Sequence, residues 1–131
     1  STYLPDVASR LPNGDEITIR QMLKMRSGLF DYVDPLFEGN FFTGNIEQGY
    51  TYEELVDYAV ENGTPEFAPD SLNELGEPNF DYSNTGYLLL GMIIEEITGQ
   101  PLNEVYAERI FQPLGMENTY YETGIAPSKP A

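Results

Sequence analysis

Tyr82-Ser83-Asn84 stands immediately before Thr85-Gly86-Tyr87-Leu88-Leu89-Leu90-Gly91-Met92-Ile93-Ile94, and this junction decides the fold. A polar tripeptide closes a loop bearing aspartate and proline, and the chain then turns almost uniformly apolar. A helix that is apolar on every side is buried, so the stretch up to Ile97 reads as the central helix of a core. Asn84 or Thr85 is expected to cap its first turn, because short polar side chains accept from the free amides there. Gly99 is expected to end it. The loop at its start therefore rests on the most rigid element of the domain. Tyr82 and Asn84, two positions apart, offer one ionisable hydroxyl and one amide to a common space, as a site requires.

Helical signals continue on both sides. Thr18 and Gln21 form a capping box, Ile19, Met22, Leu23 and Arg26 follow at helical spacing, and Gly28 is the expected C′ residue. Asp34-Pro35 opens a short helix through Leu36, Phe37 and Phe41. Thr51 to Glu54 is a second capping box, leading Leu55, Val56, Tyr58, Ala59 and Val60 to a stop at Asn62-Gly63. Pro101 suits the first turn of a last helix carrying Leu102, Val105, Tyr106, Arg109 and Ile110, stopped by Pro113-Leu114-Gly115. Residues 1–16 read as a lead-in loop, residues 64–81 as a loop with no sustained period, and residues 117–131 as a tail that starts a strand or frays. There are no internal repeats. The expected fold class is mainly α, with four to five helices joined by long loops in a single unit, 1–131.

Composition narrows the function. Of 131 residues, 40% are hydrophobic and 13% aromatic, enough for a packed core. The net charge of −16 with 6 Lys and Arg argues against nucleic acid and anionic membranes, since phosphates need cations. With no cysteine and no histidine, disulfides, thiolate chemistry and the commonest metal ligand are absent. No Asp-x-Asp-x-Asp-Gly calcium loop occurs, so neither metal nor cofactor is expected. The apolar run near Tyr87 to Ile94 is too short to span a bilayer. Ser1-Thr2-Tyr3-Leu4-Pro5 carries no basic leader, so no signal peptide is read.

Three blocks carry a resemblance: Ile17 to Leu29, Tyr82 to Ile97, and Glu108-Arg109-Ile110-Phe111-Gln112-Pro113-Leu114-Gly115-Met116. In this order and spacing the chain resembles the penicillin-recognising serine hydrolases, the group of class C β-lactamases, D-alanyl-D-alanine carboxypeptidases and related esterases. Such enzymes carry Ser-x-x-Lys, Tyr-x-Asn and Lys/His-x-Gly motifs. Here only Tyr-x-Asn is found: no serine precedes a lysine by three, and neither Lys24 nor Lys129 begins a Lys-x-Gly triplet. The resemblance implies an internal fragment, the helical subdomain of a β-lactamase/transpeptidase-like α+β fold, with the site in the cleft beside a sheet subdomain. It also implies an extracytoplasmic, cell-wall setting.

The resemblance makes Tyr82 catalytic, facing the nucleophilic serine as general base, and makes Asn84 substrate-binding, its amide given to a carbonyl of a β-lactam or D-alanyl peptide. A free phenol titrates near pH 10, so it works as a base only beside cations, which this acidic chain does not supply. The plainer accounts are a core-edge tyrosine and a helix cap. Ser83 falls at a variable position with no nucleophilic role. Met25 to Leu29 forms a structural helix end, and Asp31 and Tyr32 after it line the cleft at most. The loop Asp70 to Phe80 looks longer than usual for the family. The leading expectation is a hydrolase acting through an acyl-serine on D-alanyl-D-alanine peptides or β-lactams, inactive as this chain alone. The rivals are a non-catalytic peptidoglycan- or protein-binding relative and an esterase. If the serine-bearing helix precedes Ser1, the face of Leu88, Leu89, Met92 and Ile93 lacks a partner. The chain is then expected either to form a homodimer through that face or to repack as a partly molten domain.

Overall fold

A computed structural model describes residues 2–44 and 49–121. Six α-helices follow in order: α1 (Pro5–Arg10), α2 (Ile19–Leu23), α3 (Val33–Thr43), α4 (Tyr52–Asn62), α5 (Asn84–Thr98) and α6 (Leu102–Tyr106). A π-helical turn, Ala107–Phe111, continues α6. Among the described residues the only β feature is the isolated bridge between Leu72 and Pro78. The mainly α expectation holds, with one helix more than expected.

The extra helix is α1, inside the stretch expected to be a lead-in loop. Leu4-Pro5-Asp6 is a helix start rather than a turn: Pro5 sits in the first turn, where its fixed φ suits a helix and its missing N–H costs nothing. The helix is stable because it is amphipathic in tertiary context. Val7 and Leu11 enter the core, while Arg10 reaches Glu53 and Asp57 on α4. These ion pairs are exposed and worth at most about 1 kcal/mol, so the apolar side of α1 holds it down.

Helix α5 is the centre. It packs against α2, α4 and α6, and Leu88, Leu89 and Ile93 join Val7, Leu11, Met22, Leu29 and Val56 in one core cluster. This corrects the expectation of an unpartnered face: Leu88, Leu89 and Ile93 are buried, and Met92 packs against the same cluster. The partners come from α1, α2 and α4 of the chain itself. The open side of α5 is another one, where Tyr87 and Ile97 are about half exposed, at 51% and 59%. No helix of the described residues is long and apolar enough to cross a membrane.

Both capping boxes form as read. Thr18 accepts from Gln21 N and Thr51 from Glu54 N, and the Gln21 and Glu54 side chains return to the cap amides. The Thr51 backbone and hydroxyl hydrogen bonds hold the Glu54 carboxyl below its ordinary range. Gly99 ends α5 in the left-handed conformation, as expected. The end of α2 differs. It stops at Leu23, and Met25, not Gly28, takes the left-handed position at φ 55°. Arg26 N then bonds Gln21 O at 2.8 Å, the six-to-one closure of a Schellman turn. Gly28 is needed elsewhere. Its φ is +68°, and an added Cβ would lie 2.0 Å from the Phe67 carbonyl oxygen, so the loop after α4 passes directly over it.

The last helix is held by α5 and by the segment following it. Glu95 on α5 accepts from Leu102 N at 2.7 Å, doing the capping that Pro101 cannot. Gln112 N bonds Ala107 O, five residues back, which widens the helix at its end, and Met116 N bonds Phe111 O across Gly115, whose φ of 64° makes this the six-to-one closure of a Schellman turn. Tyr121 stacks edge-on against Tyr106 with ring centres 5.3 Å apart. Thr119 to Tyr121 form no strand, and residues 122–131 of the expected tail lie outside the described residues.

Two outcomes test this packing. Gly28→Ala is expected to destabilise by roughly 2–4 kcal/mol, through overlap as well as strain. Gly99→Ala, at nearly the same φ of +66° but with nothing within 4 Å, should cost only about 1 kcal/mol. Urea midpoints at constant m-value separate them, and equal losses would mean that the Phe67 carbonyl is not where the fold requires it. The second outcome concerns pH. Burial first, then Tyr121 and Glu95, hold the Tyr52 hydroxyl well above the ordinary phenol value of 10.0. The folded chain therefore keeps this proton after the unfolded chain has lost it. Its contribution is intact below about pH 10 and declines as pH rises beyond. Thermal melts from pH 8 to 11 should show Tyr52→Phe losing less stability than the unsubstituted chain over the upper part of that range, and parallel curves would count against the burial of this hydroxyl.

Candidate functional site

The site begins with the way α5 starts. Ser83, not Asn84 or Thr85, is the N-cap: it is 2% exposed and its hydroxyl accepts from Gly86 N at 3.4 Å. Thr85 is fully buried, and its hydroxyl donates to Phe30 O at 2.6 Å. The extended backbone at Ser83, with φ −147° and ψ 113°, alternates the side chains around it. Ser83 therefore turns inward to cap while Tyr82 and Asn84 turn out. Capping by Ser83 frees the Asn84 amide for other work.

Tyr82 is 57% exposed, and its hydroxyl lies 3.3 Å from Asn84 Oδ1. Asn84 Nδ2 donates to Asp31, at 2.9 Å from Oδ2 and 3.2 Å from Oδ1, and the Asn84 backbone N–H donates to Oδ1 at 3.2 Å. Asp31 Oδ1 also accepts from Val33 N at 3.1 Å, an Asx turn that leads into α3. An ionised carboxylate only accepts, so the amide edge facing Asp31 must be Nδ2 and the edge facing Tyr82 must be Oδ1. The tyrosine hydroxyl donates to that oxygen.

The loop before the site is organised rather than loose. Asn73 Oδ1 accepts from Leu75 N and Glu77 N, both at 2.9 Å, and Asn79 closes back on Ser71 through backbone and side chain. Asp81 N bonds the carbonyl of Met25 at 3.1 Å, so the left-handed end of α2 fixes the residue just before Tyr82. At its tip the loop exposes Leu72, Leu75 and Phe80.

Asn84 also lies at the edge of an apolar groove of about 660 Å³ along the open side of α5, lined among others by Tyr32, Tyr52, Leu90, Ile94 and Tyr106. The hydroxyls of Tyr32 and Tyr52 are both raised from the ordinary phenol value, chiefly by burial; Asp31 adds to the first, and Tyr121 and Glu95 to the second. Among the described residues, no carboxylate or cationic side chain lines the groove. Tyr82 and Asn84, paired in sequence, are thus brought together in space. The residue that sequence reasoning undervalued is Asp31, 53 positions from its partner. Its signal was an aspartate three residues before the helix expected from Asp34-Pro35, a common turn former.

A family model described as Beta-lactamase matches residues 1–130. Penicillin-binding protein 4* of Bacillus subtilis (strain 168) is 34% identical over 116 residues, covering 86% of this chain and 23% of that protein. The D-amino acid amidase of Ochrobactrum anthropi SV3, solved with L-phenylalanine amide, is 35% identical with a TM-score of 0.64, over 93% of this chain and 31% of that one. A D-stereospecific amidohydrolase from Streptomyces sp. gives a TM-score of 0.73 at 28% identity, over 98% of this chain and 41% of the other. The chain spans about a quarter of the length of the curated relatives it matches. With nearly every residue inside the family model and the backbone following solved relatives throughout, the chain belongs to the Beta-lactamase family of serine hydrolases.

Proposed function

We propose that this chain is the helical subdomain of a serine hydrolase that cleaves an amide bond beside a D-configured residue. The observation that carries the reading is the Tyr82–Asn84 pair, 3.3 Å apart at the exposed start of a buried helix and beside an apolar groove. In this reading a serine from sequence beyond these 131 residues attacks the carbonyl and Tyr82 faces that serine as general base. Water then releases the acyl group. The phenol would serve as a base only beside a cation, which the rest of the protein must bring.

Asn84 in this reading holds the substrate carbonyl. Nδ2 carries two hydrogens; Asp31 takes one, which leaves one for a carbonyl at the groove edge. The uncharged, aromatic groove suits an apolar side chain on the acyl side. Relatives named for D-amino acid amides, D-alanyl-D-alanine peptides and penicillin support this class of substrate. Penicillin-binding relatives likewise support an extracytoplasmic setting.

The test uses the full-length protein and a panel of D-phenylalanine amide, its L-enantiomer, a D-alanyl-D-alanine peptide and a penicillin. Tyr82→Phe is expected to lower turnover by roughly two to four orders of magnitude on the preferred substrate, with the fold unchanged. Unaltered turnover would remove Tyr82 from the chemistry and leave a binding role. The 131-residue chain contains no Ser-x-x-Lys, so intact mass after incubation with a penicillin should show no adduct. A stoichiometric adduct would place the nucleophile within these residues.

A further inference from the structure

We propose that Asp31 is a positioning residue of this site, setting through the Asn84 amide which way the Tyr82 hydroxyl points its proton. The inference rests on the reading of Tyr82 and Asn84 given above and extends it to a residue on another segment.

The argument is one of donors and acceptors. Asp31 Oδ1 accepts from two backbone donors, Val33 N at 3.1 Å and Asn84 N at 3.2 Å, and takes the longer contact of Asn84 Nδ2 at 3.2 Å. Backbone N–H groups can only donate, so they fix an acceptor at that position. Oδ2 is left for the Asn84 side chain, at 2.9 Å. This contact fixes the amide: with Nδ2 drawn to the carboxylate, Oδ1 is left facing Tyr82 at 3.3 Å. An amide that donates to a charged group is polarised, and its oxygen becomes a stronger acceptor. The relay therefore runs from the Tyr82 hydroxyl to the Asn84 carbonyl and from the Asn84 amine to the Asp31 carboxylate. Asn84 Oδ1 thus holds the phenolic proton and favours the neutral phenol, so that a cation brought to Tyr82 must displace this proton before the oxygen acts as a base.

The two backbone contacts also give Asp31 a structural task, and an isosteric change separates the two roles. In Asp31→Asn the new side chain keeps its oxygen against the backbone amides of Val33 and Asn84, so the turn survives. Its Nδ2 then stands where Oδ2 was, facing Asn84 Nδ2, and two donors meet. Asn84 must turn its amide over, presenting Nδ2 instead of Oδ1 to the Tyr82 hydroxyl. The proton pattern at Tyr82 is reversed without a change of shape.

The experiment is a double-mutant cycle in the full-length protein, with Asp31→Asn, Asn84→Ala and their combination. The readouts are kcat, KM and the pH profile of kcat/KM on the preferred substrate of the panel, with melting temperatures as the fold control. Asp31→Asn is expected to lower kcat by about ten- to a hundredfold at a melting temperature within a few degrees, because the turned amide takes Nδ2 from the substrate carbonyl. It should also move the acidic limb of the profile, which a general base sets, to lower pH, because an amine donor favours the phenolate. In the Asn84→Ala background the same change should cost nothing further, because the effect is transmitted only through that amide. Should Asp31→Asn fail to fold, Asp31→Ser enters the same cycle, its hydroxyl retaining the turn without a carboxylate. Wild-type turnover in the folded Asp31 variant would overturn the proposal, and so would losses that multiply with those of Asn84→Ala. An active Tyr82→Phe protein would overturn the reading of the site itself, and the proposal with it. A dead Tyr82→Phe beside a fully active Asp31→Asn would sink the proposal alone.

Discussion

Burial of α5 on three sides is the constraint from which the remaining structure follows. Its Leu88, Leu89 and Ile93 share one cluster with residues of α1, α2 and α4, and α6 is capped from it by Glu95. A helix so enclosed cannot leave its first turn unsatisfied, because buried backbone amides without partners cost far more than a hydrogen bond returns. Ser83 meets that demand from inside the core, and Thr85 secures the same turn to Phe30. The polar residues at either side of Ser83 are then necessarily turned outward, on a rigid base.

That geometry lets one tripeptide cap a buried helix and still present two polar side chains outward. Capping belongs to Ser83, so Asn84 is spared the usual duty of an asparagine at a helix start. Its amide is instead held by Asp31, which reaches the site from the segment between α2 and α3. The approach of Asp31 depends on Gly28, over which the Phe67 carbonyl passes, and on Met25, whose left-handed turn redirects the chain after α2. Met25 in turn accepts from Asp81, beside Tyr82. The two sides of the site are thus tied together by backbone hydrogen bonds before any side chain meets.

The charge of the chain has little part in holding it together. Of the few cations, Arg10 joins α1 to α4 at the surface, where screening limits its worth. The large acidic excess is a surface property, and the open side of α5 is by contrast lined with tyrosines and aliphatic side chains. This groove lies directly beside the tyrosine–asparagine pair.

The sequence by itself determined the elements whose causes are local. Capping boxes at Thr18 and Thr51, the proline at the start of the last helix and the glycine after α5 are each written within a few residues, and the apolar run after Asn84 marks the buried helix. Family membership was legible for the same reason, since Ile17 to Leu29, Tyr82 to Ile97 and Glu108 to Met116 are each short runs of neighbouring residues, in an order and spacing that the chain itself displays. Tertiary structure alone decided what depends on partners far apart in sequence. Helix α1 forms because its Val7 and Leu11 find the core, a contact that the proline and aspartate at its start do not announce. The cap fell to Ser83 rather than to the expected Asn84 or Thr85 because burial, not capping propensity, selected the inward-facing side chain. Asp31 became the partner of Asn84 because folding carries it across 53 positions, and a hydrogen bond over that distance leaves no periodic trace in the chain.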